Sequence, residues 1–248
     1  MIFNSQGDAK LRQYINGQTI TPGDTAITLP KGAQLLGDVI IEAADTEAAY
    51  EEGYNTGYAA GYAAGQAAAI PYSKELQYIK GDGAQYIDTG FKPNNNSCYE
   101  IKYQTVPTQS YVGIMGAEHG WGSASFALWC KHAGFCNSTI TNQTWYGETP
   151  VIMKFNKGIL YKDGVRVWSA NGTFQCNYNA YLFGINRAGT LTEPVDNLKI
   201  YYAKIWDNGT LVRDYIPVLD KSGVACLYDK VNKQFYYNAG NGAFTYAE

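Results

Sequence analysis

From Glu75 to Glu248 apolar and polar residues alternate in short runs, and turn-forming residues interrupt them at frequent intervals. Alternation with period two is the mark of strands that bury one face. The stretch GILYKDGVRVWSA, residues 158–170, reads as strand, Asp163-Gly164 turn, strand. Asp-Gly favours a tight hairpin because both central residues of that turn need positive φ. Residues 197–218, NLKIYYAKIWDNGTLVRDYIPV, repeat the arrangement around Asp207-Asn208-Gly209. VACLYDKVNKQFYYNAG and then FTYAE carry the pattern to Glu248. No helical period interrupts these runs. The predicted fold class is mainly β, with an antiparallel jelly-roll sandwich over residues 73–248.

The preceding residues follow other patterns. Residues 1–43 alternate β-branched runs with turns at Pro22-Gly23-Asp24 and Pro30-Lys31-Gly32. They predict a small β-rich unit that buries little surface alone and needs a partner surface or copies of itself. In residues 44–72, Tyr50, Tyr54, Tyr58 and Tyr62 recur every fourth position, with Gly53, Gly57 and Gly61 in step. Residues four apart share a helix face, so a short helix would carry a Tyr stripe beside a Gly stripe. Each glycine costs a helix about 1 kcal/mol, which close backbone approach to another helix can offset. The segment therefore reads either as a self-association helix, with a homotrimer as the expected state, or as a Gly/Ala linker with incidental tyrosines.

Composition narrows the functions. Hydrophobic residues make up 46% and charged residues 17% of 248, which allows a substantial core. The net charge of −3 supplies no basic field for a nucleic-acid backbone. No apolar run reaches the roughly 20 residues needed to cross a bilayer, so no membrane insertion is expected. The N-terminus has no long apolar stretch and is expected to carry no secretory signal. The five cysteines show no CxxC spacing and are expected to stay buried thiols.

Candidate catalytic chemistry is sparse. Glycoside hydrolysis needs two carboxylates facing one sugar, yet Glu100, Glu118, Glu148 and Glu193 are scattered singly. His132 lies between Cys130 and Cys136, which reads as buried thiols beside a loop histidine rather than a nucleophile pair. No enzyme is expected. Aromatics are the positive signal. Phe126 and Trp129 lie in a predicted strand, whereas Trp121, Trp145 and Tyr146 sit among turn formers. Exposed rings stack on the apolar face of sugars while nearby polar groups bond the hydroxyls. The candidate ligand site is therefore Trp121, Trp145 and Tyr146, with His119, Glu118 and Asn142 as polar neighbours.

Two resemblances add to this reading. Thr19-Ile20-Thr21-Pro22-Gly23 and Leu36-Gly37-Asp38 resemble short modules in tail and fibre proteins of phages infecting Gram-positive bacteria. The C-terminal segment starts with Leu76-Gln77-Tyr78-Ile79 and Gly83-Ala84-Gln85-Tyr86-Ile87-Asp88-Thr89-Gly90-Phe91. Towards its end stand Lys204-Ile205-Trp206-Asp207, Leu211-Val212-Arg213-Asp214-Tyr215-Ile216-Pro217, Leu227-Tyr228-Asp229 and Asn238-Ala239-Gly240. Together these resemble the laminin-G-like, concanavalin A-like jelly roll of phage structural proteins and of surface proteins of gut Gram-positive bacteria. The match is loose over residues 105–150, and Trp206 stands where tyrosine is commoner.

The resemblance implies a virion appendage, a tail or head fibre, assembled in the host bacterial cytoplasm. Residues 1–43 would attach it to capsid or tail proteins, and the non-catalytic sandwich would recognise a host-surface glycan. The alternative is a decorating fibre that makes only protein contacts. No cofactor is expected. Such domains often hold Ca²⁺ at the rim, for which Asp88, Asn94-Asn95-Asn96 and Asp196-Asn197 offer oxygens, though the same residue types also simply form turns.

Overall fold

Alternation along the sequence becomes alternation between two faces of two stacked sheets. The computed structural model describes residues 70–107, 112–121 and 123–248. In chain order the first strands are β1 (Lys74–Glu75), β2 (Tyr78–Asp82), β3 (Ile87–Asp88), β4 (Ser97–Thr105), β5 (Gly113–Glu118) and β6 (Ser125–Trp129). There follow β7 (Ala133–Cys136), β8 (Ser138–Ile140), β9 (Gly147–Asn156), β10 (Ile159–Lys162), β11 (Val165–Ser169), β12 (Tyr181–Leu182) and β13 (Ile185–Arg187). The last are β14 (Thr190–Thr192), β15 (Asp196–Asp207), β16 (Thr210–Leu219), β17 (Ala225–Asp229), β18 (Gln234–Tyr236) and β19 (Thr245–Ala247). Among the described residues there is no helix. The repeat from Tyr50 to Tyr62, including Gly53, Tyr54, Gly57, Tyr58 and Gly61, lies outside them, as does the 1–43 unit.

The larger sheet runs β11-β10-β9-β4-β15-β16-β17-β18, with β1 beside β16 and β2 between β15 and β19. The smaller sheet runs β14-β13-β5-β6-β7-β8, with β12 joining β3 to β5. Pairing is antiparallel except between β5 and β13, which run parallel. The core fills the space between the sheets. β4 sends in Tyr99, Ile101 and Tyr103, β15 Leu198, Ile200, Ala203 and Ile205, and β9 Met153 and Phe155. They meet Ile114, Ala117, Phe126, Leu128 and Phe135 of the smaller sheet. Phe126 stacks on Phe155 at 5.7 Å, and the Tyr99 ring packs edge-on against both.

Tight turns set the register. Asp163 and Gly164 have φ of 49° and 81° and join Lys162 to Val165. Asn208 and Gly209, at 49° and 87°, join Asp207 to Thr210. Lys157 and Gly158, at 48° and 82°, make a third such turn, between Asn156 and Ile159. The two ends of the sandwich meet. β19 pairs with β2 through Tyr246 and Ile79, and the Asn241 N–H donates to the Ala84 carbonyl. Asn238 Oδ1 accepts from the Tyr86 N–H.

Candidate functional site

Residues 126 and 129 differ by an odd number, so the strand that buries Phe126 between the sheets turns Trp129 to the outer face. There Trp129 packs with Ala127 and Ile185 in a small apolar cluster separate from the main core. A glycine makes room: a Cβ on Gly113 would lie only 2.6 Å from Ile185. The turn between β5 and β6 brings Trp121 over this floor, its ring centroid 5.8 Å from that of Trp129. Trp121 remains 57% exposed.

Polar groups border the two indoles. Arg187, on β13, pairs in register with Glu118 at the end of β5. Its Nε donates to Glu118 Oε1 at 2.6 Å, and its Nη2 to Glu193 Oε1 at 2.8 Å. Glu193 Oε2 accepts a hydrogen bond from Trp129 Nε1. The guanidinium carbon lies 5.1 Å from the Trp121 centroid, a cation–π contact that supports the exposed ring from one side. Burial alone would lower the Arg187 pKa, but the hydrogen bonds it donates to Glu193 and Glu118 outweigh it and hold the group above its ordinary value. The Glu118 side chain is fully buried, while Glu193 and Arg187 reach the surface. Burial holds the His132 imidazole below its usual pKa, with Glu193 acting in the opposite sense.

The six expected ligand residues do not form one patch. Trp145 is 2% exposed and belongs to the core between the sheets. Its N–H donates to the Cys130 carbonyl, and its own carbonyl accepts from the Tyr103 hydroxyl at 2.5 Å, which pulls the ring inward. Tyr146 is half-buried against the same core, with the Lys131 ammonium 5.8 Å from its centroid. Trp121 is thus on the opposite face of the smaller sheet from Trp145. Turn-forming neighbours signalled exposure for both, but backbone hydrogen bonds reversed it for Trp145. His119 is half-buried, its Nε2 accepting from the Asn177 N–H at 3.1 Å and its ring edge-on to Tyr178. Asn142 is exposed at φ 59°, a conformation asparagine tolerates well. Glu118 faces the Trp121 site, but as the buried support of Arg187 rather than as a surface contact.

Sequence reading missed Trp129 as a site residue, together with Arg187 and Glu193. Arg187 and Glu118 are 69 positions apart, so no local motif could join them. The one available signal was the odd spacing of Phe126 and Trp129.

The other candidate chemistry disperses. The calcium oxygens serve turns: Asp88 Oδ1 accepts from Gly90 N–H, Asp88 Oδ2 from Asn179 Nδ2, and Asn94 Oδ1 from Asn96 N–H. Among the described residues no three acidic, histidine or cysteine side chains converge as a metal site. All five cysteines are buried. Burial pushes the Cys98 thiol up to about 11 and that of Cys226 to about 12, and raises Cys130 beside His132, leaving little thiolate at neutral pH. Arg213 and Asp214 are structural: Arg213 Nε donates to the Thr89 carbonyl, and the Asp214 N–H donates to buried Asp229.

No family model and no curated protein matches the chain. Among solved structures, Ruminococcus gnavus IT-sialidase CBM40 bound to alpha2,3 sialyllactose aligns with a TM-score of 0.37 and 14% identity. The alignment covers 52% of this chain and 91% of that one. The sialyllactose is a ligand of that module.

Proposed function

We propose that this chain is a phage virion appendage whose sandwich binds a host-surface glycan without acting on it, and that the sugar stacks on Trp121. The appendage role rests on the sequence resemblances at residues 19–38 and at both ends of the sandwich. The exposed Trp121 indole carries the binding reading. A large ring at 57% exposure, supported by Arg187 and Trp129, is a pre-positioned stacking platform that loses little conformational freedom when a ligand arrives. Carboxylate oxygens of Glu193 stand beside it to receive sugar hydroxyls. Hydrolysis is disfavoured by the same geometry. Glu118 is completely buried, so a sugar on the outer face cannot touch both carboxylates that flank Arg187.

A glycan array probed with the full chain tests this, followed by calorimetry on the strongest hit. Trp121→Ala should weaken binding by about 1–3 kcal/mol, as for aromatic anchors at other interfaces. Unchanged binding by that variant removes the site. Intact glycan recovered after prolonged incubation is expected, and cleavage would overturn the non-catalytic reading. If the wild-type chain retains no glycan but does retain purified virion proteins, the decorating-fibre role takes its place.

A further inference from the structure

We infer that the Trp121 site selects uncharged sugars and rejects acidic ones such as sialic and uronic acids; this rests on the glycan-binding reading above. The reason is the charge and hydrogen-bonding inventory of the outer face. An acidic sugar needs a cation or several N–H donors with unspent capacity. Arg187 is the guanidinium at the site: two of its five N–H groups are spent on carboxylates at 2.6 and 2.8 Å, and those two carboxylates more than neutralise its charge. One positive charge between two negative ones leaves an excess negative charge beside the exposed indole. Trp129 Nε1, a further donor of the outer face, is directed at Glu193. The Lys131 ammonium lies over the Tyr146 ring, 5.8 Å from its centroid. Burial of His132 favours its neutral form.

What the site does present is acceptors. Among the described residues each Glu193 oxygen takes one hydrogen bond, Oε1 from Arg187 and Oε2 from Trp129, and a carboxylate oxygen has a second lone pair. Those lone pairs suit sugar hydroxyls, which donate. A ligand carboxylate has no proton to donate and meets like charge in a half-buried setting, where repulsion is screened less than in water.

The experiment is calorimetry of the full chain against lactose and N-acetyllactosamine, and against the same sugars capped with sialic acid or glucuronic acid. The neutral sugars should bind at least about tenfold more tightly than their acidic counterparts. Their affinity should be nearly independent of salt. Glu193→Gln keeps the shape but removes a negative charge, so it should narrow that preference, chiefly by improving the acidic ligands. Equal or tighter binding of the acidic sugars, abolished by Trp121→Ala, would overturn the selectivity while leaving the glycan site standing. Binding of neither class, on the array or in solution, would overturn both.

Discussion

Two tryptophans with similar surroundings in the sequence have opposite roles in the structure. Trp121 follows His119-Gly120, and Trp145 follows Gln143-Thr144, each among turn formers. Trp121 stands on the outer face, whereas Trp145 is sealed between the sheets. Removing Trp145 with alanine should leave a core cavity and cost about 3–5 kcal/mol. Removing Trp121 should cost far less in stability, because an exposed ring contributes little to packing. Urea unfolding of both variants checks the contrast, and equal losses would mean that Trp121 is a packing residue. At this scale the sequence reads poorly. Exposure of a loop aromatic depends on where its backbone hydrogen bonds end, and for Trp145 these partners are Cys130 and Tyr103. The same holds for the ion pairs of Arg187, which become visible only when β5 and β13 lie side by side.

Hairpins were far more legible, because their chemistry is local. Asp163-Gly164 and Asn208-Gly209 adopt the positive φ values that their sequence predicts. Lys157-Gly158 adopts the same conformation without an Asn or Asp to announce it. The three glycines separate backbone strain from crowding. A Cβ on Gly164 or Gly209 meets nothing within 4 Å, so alanine there should cost only the left-handed penalty, about 1–2 kcal/mol. A Cβ on Gly158 would lie 2.1 Å from the Ala170 carbonyl oxygen, so alanine there adds an overpacking cost of about 1–3 kcal/mol. Thermal melts of Gly158→Ala, Gly164→Ala and Gly209→Ala should place the first well below the other two. The parallel pairing of β5 with β13 had no sequence signal, since a long connection hides which strands become neighbours.

For the whole molecule, the two-sheet plan was readable from the spacing of strands and turns. The two ends of the sandwich come together through β19 on β2, with residues 238–242 held against residues 84–86. Assembly belongs to this scale too. A sandwich used as an appendage gains avidity from copies, since linked sites raise the effective ligand concentration. The Tyr/Gly repeat from Tyr50 to Tyr62 is the proposed contact between copies. Light scattering of the full chain should report a mass about three times its 27.3 kDa. A monomer at every concentration would rule out the self-associating repeat and favour its reading as a linker.

The pairing of β2 with β19 also has a mechanical meaning. Tyr78 lies opposite Ala247, and Lys74 meets Glu248 at 2.5 Å, so β2 begins where β19, the last strand, ends. Tension applied between Pro71 and Glu248 would part these strands one hydrogen bond at a time from that shared end, a direction in which few bonds resist together. Tension between Pro71 and a sugar held on Trp121 takes another path. It crosses the core to the smaller sheet and bypasses β19, which then stays in place as a clamp on β2. A domain tethered at its first strand and loaded at Trp121 would therefore be pulled along a route that leaves its most easily unzipped seam unstressed.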